Sequence, residues 1–185
     1  GNTWWRLGCC RNGIQQKRDQ LGDLRDTIGA EEKNNQCTFY FVPAAHILSC
    51  TKTLPVFQDL TKHLVTITLN QSDSYRGQFS STMLAVSHRW ETSAEPDTEG
   101  VQLKAIQKYL KKNPEIKHVW FDYWCMPQGS KRTPLENEEF KWMLTNVNLI
   151  YLAASVLILL DLSYLSRFWT QFEAWLSFQK ATNAG

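Results

Sequence analysis

Met83-Leu-Ala-Val-Ser-His-Arg-Trp90 decides the fold: an unbroken apolar run ends at Ser87, and polar and aromatic residues follow at once. A run without alternation reads as a strand covered on both faces, the kind that parallel sheets use. Downstream, Gly100–Lys112 carries Val101, Leu103, Ile106, Tyr109 and Leu110 at helical spacing, and His118–Phe121 leads apolar residues into Asp122. Leu135–Leu149 is helical again, Val156–Leu160 reads as a buried strand, and Tyr164–Lys180 as an aromatic-rich helix. Strand–helix pairs in series predict an α/β domain with a mainly parallel sheet and helices on both faces.

Upstream the signals are less regular. Between Arg11 and Lys33, Ile14, Leu21, Leu24 and Ile28 form the stripe of an amphipathic helix, with Gly29 and Asn34-Asn35 as stop signals. That stripe suits a helix packed on its own domain or a short coiled coil, and it sets residues 1–36 apart as an N-terminal extension to an α/β domain over 37–185. Cys37–Val42 reads as a short strand ended by Pro43, Leu54–Leu64 as a helix opened by Thr53, and Val65–Leu69 as a half-buried strand. Asn70–Ser81 reads as a polar loop.

Composition narrows the function classes. Twenty basic and eighteen acidic residues leave a formal charge of +2, so nothing pulls the chain toward nucleic acid. Five cysteines without CxxC or Cys/His spacing argue against a disulfide framework and a zinc site, and fit a reducing, cytoplasmic setting. The longest apolar run, Leu149–Leu160, is too short for a membrane span, which needs about 20 residues. Gly1 with Cys9-Cys10 behind it allows peripheral membrane attachment through two acyl chains; ordinary reduced thiols are the alternative.

The predicted strand ends carry Ser87-His88-Arg89-Trp90, Asp122-Tyr123-Trp124-Cys125, and Asp161 running on to Tyr164. In open α/β sheets the ligand crevice lies beyond the carboxyl ends of the strands. Arg89 there suits a phosphate or carboxylate, or a surface ion pair. His88 suits proton transfer, a sugar hydroxyl or a purely structural bond. Trp90, Trp120, Trp124 and Trp169 suit ring stacking or the core. Glu173 is the leading candidate, because it shares a helix face with Trp169 at i and i+4, which places an acid beside an aromatic ring. A carboxylate so placed is partly desolvated and fitted to acid/base work or to gripping ribose hydroxyls; an exposed helix acid is the plain alternative. Cys125 offers a rival mechanism, a thiol activated by His88 with Asp122 orienting the imidazole, against a structural cysteine.

Val86-Ser-His-Arg-Trp90 followed by Val119-Trp-Phe-Asp-Tyr-Trp-Cys-Met-Pro-Gln128 resembles the fungal heterokaryon-incompatibility (HET) domain. Arg167-Phe-Trp-Thr-Gln-Phe-Glu173 resembles both that family and TIR domains, whose Trp-x-x-x-Glu helix carries the acid. The resemblance implies a flavodoxin-like sheet and, as in catalytic TIR domains, cleavage of the nicotinamide–ribose bond of NAD in innate-immune, cell-death or other intracellular signalling. It implies Glu173 as the catalytic carboxylate, Trp169 as a wall of the site, Ser87, His88 and Arg89 at the first strand end, and a mobile loop over Tyr123–Pro134 with Arg132 as a phosphate contact. NAD is then the substrate, with no cofactor and no metal, and a homo-oligomer is expected. A TIR domain continues through further strands after this helix, so either the strands near Cys37–Val42 and Val65–Leu69 complete the sheet or the site is incomplete. A non-enzymatic self-association module and a nucleoside-processing transferase are the competing functions.

Overall fold

The computed structural model describes residues 5–92, 95–129, 132–160 and 168–179, with side chains from residue 15 onward. A long helix, α1 (Trp5–Lys33), leads into β1 (Gln36–Pro43). Short helices α2 (Ala44–Ser49) and α3 (Phe57–Leu60) and a 3-10 turn (Thr61–His63) connect β1 to β2 (Val65–Asn70). Then come α4 (Gln71–Tyr75), β3 (Met83–Ser87), α5 (Val101–Lys112), β4 (His118–Trp120), α6 (Asp122–Cys125), α7 (Pro134–Thr145), α8 (Asn148–Ala153), β5 (Ser155–Ile158) and α9 (Phe168–Ser177).

The five strands form one sheet in the order β2-β1-β4-β3-β5. β3 is parallel to both β4 and β5, whereas β1 is antiparallel to both of its neighbours, β2 and β4. The sheet is therefore mixed, which corrects the expectation of a mainly parallel one. Its parallel part is the half that the strand–helix alternation described. Of the two N-terminal strands that complete the sheet, β1 runs against the other four and β2 runs with them; β2 alternates exposed residues with half-buried or buried ones along Val65–Asn70, as an edge strand with one wet face does. β3, by contrast, is buried at all five residues, so both its faces are covered.

Helix boundaries differ from expectation in places. α1 runs through Gly29 to Lys33, and the stop comes at Asn34-Asn35, where Asn35 adopts φ 50°; asparagine tolerates that left-handed conformation. Asn70 caps α4 by accepting from the Asp73 amide, giving structure to the expected polar loop. The helical stretch from 135 splits at Asn146 into α7 and α8, and α7 starts on a capping box in which Thr133 and Glu136 bond each other's backbone amides. The helix predicted over Leu54–Leu64 is only α3 and the turn that follows it. Gly1, Asp161, Tyr164 and Arg167 lie outside the described residues. No helix among those described is long and apolar enough to cross a membrane.

α1 is tied at its C-terminal end to β1 and α7. Glu31, 6% exposed, accepts hydrogen bonds from Thr38 of β1 (2.5 Å) and the Trp142 indole of α7 (2.6 Å). Tyr40 of β1 in turn donates to Glu139 of α7 at 2.6 Å. These bonds set the position of α7, which matters because its opposite face reaches the cavity described next.

Candidate functional site

Beyond the carboxyl ends of β3 and β4 lies a cavity of about 310 Å³. Phe140 and Leu144 of α7, with Val147, form one apolar wall, and Trp120 and Met126 form another. The polar side chains are His88, Asp122, Gln128, Thr170 and Glu173, and Trp90 and Trp169 complete the lining. Trp169 is 59% exposed and Leu144 42%, which places both at the rim.

Glu173 comes from α9, whose Trp169, Thr170 and Glu173 all line the cavity while Phe172 and Trp175 stack on each other at 6.0 Å along another flank. Ser87, the last residue of β3 and fully buried, donates to Glu173 Oε2 at 2.6 Å. The Tyr151 hydroxyl of α8, also buried, hydrogen-bonds the same carboxylate. Burial pushes the Glu173 carboxyl up to about 7, Asp122 adds to the rise, and the Ser87 and Tyr151 bonds hold it back. The result is a carboxyl group poised to change charge near neutral pH.

His88 is 8% exposed, lies flat on Phe121 with ring centroids 3.9 Å apart, and hydrogen-bonds the Val86 backbone. Burial lowers its basicity, an effect that Asp122, the Val86 bond and Asp97 oppose. Its Nε2 is buried, has no hydrogen-bond partner among the described residues, and lies 3.4 Å from Asp122 Oδ1. At that distance the contact with Oδ1 is electrostatic rather than a hydrogen bond. Asp122 itself is fixed by the Trp90 indole, which donates to Oδ2 at 2.9 Å, and by the Tyr123 amide, which donates to Oδ1 at 2.5 Å. The Trp120 indole Nε1 is a second buried polar atom on this cavity without a hydrogen-bond partner among the described residues.

Glu173, His88, Trp90, Asp122 and Trp169 thus share one cavity, with Ser87 behind Glu173. Four predicted residues lie elsewhere. Arg89 turns its guanidinium back to the Trp90 carbonyl at 3.0 Å and is not part of the lining. Trp124 is 3% exposed and stacks on Phe121 within the core. Cys125 is fully buried, faces the Val119 carbonyl at 3.7 Å, and burial drives its thiol up to about 12; a thiol so reluctant to ionise makes a poor nucleophile. Arg132 packs over the Phe140 ring, 3.6 Å from its centroid, and donates to the Pro127 carbonyl, in a different depression with Leu21 and Arg25. Of the stretch expected to be a loop, Tyr123–Cys125 belong to the helical turn α6, and the Gln128 side-chain amide donates to the Asp122 and Met126 carbonyls; residues 130–131 lie outside the described residues.

Tyr151, Gln128, Thr170 and the α7 wall were not anticipated. Tyr151 did carry a signal: a phenol inside the apolar run Leu149–Leu160 needs a polar partner when buried. Phe140, Leu144 and Val147 share one helical face, a spacing that core residues show equally. Among the described residues no group of three His, Cys, Asp or Glu side chains is placed to hold a metal ion. Comparison with protein-family models, with curated proteins and with solved structures finds no match to this chain.

Proposed function

We propose that this cavity cleaves the N-glycosidic bond of NAD, making the protein an NAD nucleosidase of intracellular signalling. The observation that carries the reading is Glu173, a carboxylate desolvated against aromatic walls yet held in place by two hydroxyls. Such a group suits a reaction in which positive charge develops on a sugar carbon. A volume of about 310 Å³ accepts a heteroaromatic ring and its ribose, with the remainder of the dinucleotide lying along the open mouth past Trp169. As the ring departs, the bonding electron pair passes to its nitrogen, and ionised Glu173 balances the ribosyl cation left behind. Activity therefore rises with pH through the Glu173 value of about 7. Incubation with NAD and chromatography for free nicotinamide tests the reading: Glu173→Gln lowers turnover by about 100-fold or more. Equal turnover in the variant removes Glu173 as the catalytic carboxylate.

One observation favours a second reading, self-association. Phe168 (72% exposed) and Trp175 (55%) on α9 and Phe178 (78%) just past its end expose three aromatic rings. A mass that grows with concentration in light scattering, with no loss of NAD, would favour an assembly module over an enzyme.

A further inference from the structure

We propose that His88 is a second catalytic group of this cavity: the general base that accepts a proton from the water molecule that captures the ribosyl cation. The inference rests on the glycosidic-cleavage reading above and names what completes it. Once the C–N bond has broken, a water oxygen forms the new bond to the ribose carbon, and one of its protons must leave. Glu173 is badly suited to take that proton, since protonation would remove the charge that balances the cation. A separate base is needed on the same cavity.

His88 meets the requirement on several counts. Its Nε2 is the buried, unpartnered nitrogen of a side chain that lines the cavity; unsatisfied buried polar atoms are rare and call for an explanation. Because Nε2 has no hydrogen-bond partner among the described residues, the bond to the Val86 backbone belongs to Nδ1, and it supports the charged ring, so the carbonyl is the acceptor and Nδ1–H the donor. That assigns the tautomer and leaves the basic lone pair on Nε2. Phe121, stacked at 3.9 Å, holds the ring plane. Asp122 Oδ1, 3.4 Å from Nε2 and oriented by Trp90 and Tyr123, faces the proton once it arrives and acts as a positioning residue for the imidazolium. Burial keeps the imidazole neutral before the step, as a base must be.

The test compares two nucleophiles competing for one cation. Water must lose a proton, whereas the ring nitrogen of 3-acetylpyridine attacks with its lone pair and has none to lose. The protein is incubated with NAD and 3-acetylpyridine, and the ratio of ADP-ribose to the acetylpyridine dinucleotide is read by chromatography. That ratio is independent of how much protein is folded. His88→Gln lowers it by about 10-fold or more, within the range that general-base groups contribute. Asp122→Asn, which leaves His88 in place, lowers it as well, so the result does not depend on one variant folding. An unchanged ratio in whichever variant cleaves NAD overturns the role of His88 alone. Absence of NAD cleavage by the wild type overturns the glycosidic reading and the inference together.

Discussion

Replacing Glu173 by Gln should stabilise the folded protein, by an amount that grows with pH. In the folded chain the Glu173 carboxyl titrates at about 7, against an ordinary value of 4.5. Between those values the folded state holds a proton that the unfolded chain has released, so stability falls as pH rises through this window. At 1.36 kcal/mol per pH unit of displacement, ionised Glu173 costs the folded state about 3 kcal/mol by pH 8 and almost nothing below pH 4. Gln has nearly the same shape, still accepts from the Ser87 hydroxyl, and does not titrate. Other ionisable groups contribute equally to both proteins and cancel in the difference. Urea unfolding of the two proteins at pH 5 and pH 8 should show the advantage of Glu173→Gln growing by about 2 to 3 kcal/mol between the two. An advantage that stays constant with pH would mean that Glu173 ionises like a solvated carboxylate, and the case for a poised acid would fail with it. No enzymatic activity is needed for this experiment.

Two further outcomes follow from the packing. Brief treatment of the folded protein with iodoacetamide, followed by mass mapping, should label the partly exposed Cys50 and spare Cys125, whose burial pushes its thiol up to about 12; rapid labelling of Cys125 would reopen the thiol mechanism. Glu31→Ala leaves the Trp142 indole and the Thr38 hydroxyl without their shared acceptor and should cost about 2 kcal/mol in urea unfolding; a loss under about 0.5 kcal/mol would show that α1 is only loosely held.

The parallel half of the sheet was legible because β3 has no polar residue before Ser87 and the strand–helix alternation sets its direction. β2 announced its exposed face through Thr66 and Thr68, yet its partner could not be read: pairing joins Phe39 to Ile67 across a long connection. That connection returned antiparallel, where the alternation further on suggested a continued parallel order. At the site, the local i, i+4 relation of Trp169 and Glu173 survived because both line the cavity from one helix face. The clamp on Glu173 did not show, since Ser87 lies 86 residues away. Position at a strand end was also too coarse a guide to Trp124 and Cys125. The chain after β4 turns at once into α6, which leaves Asp122 on the cavity and sends the next two candidates into the core.

The same geometry explains why an N-terminal helix bears on a site it does not touch. α7 shows Phe140 and Leu144 to the cavity and Glu139 and Trp142 to β1 and α1. One apolar wall is thus held from behind by Tyr40 and by Glu31, a buried carboxylate with two short hydrogen bonds. A wall of aromatic and aliphatic side chains has no polar contact of its own to fix its distance from Glu173, so the bonds on the far side of α7 must do it. Desolvation of Glu173, the largest cause of its raised value, depends in turn on that wall staying closed. Loosening α1 should therefore let water in and bring the Glu173 carboxyl back toward its ordinary range, which couples α1 to the chemistry proposed for the cavity.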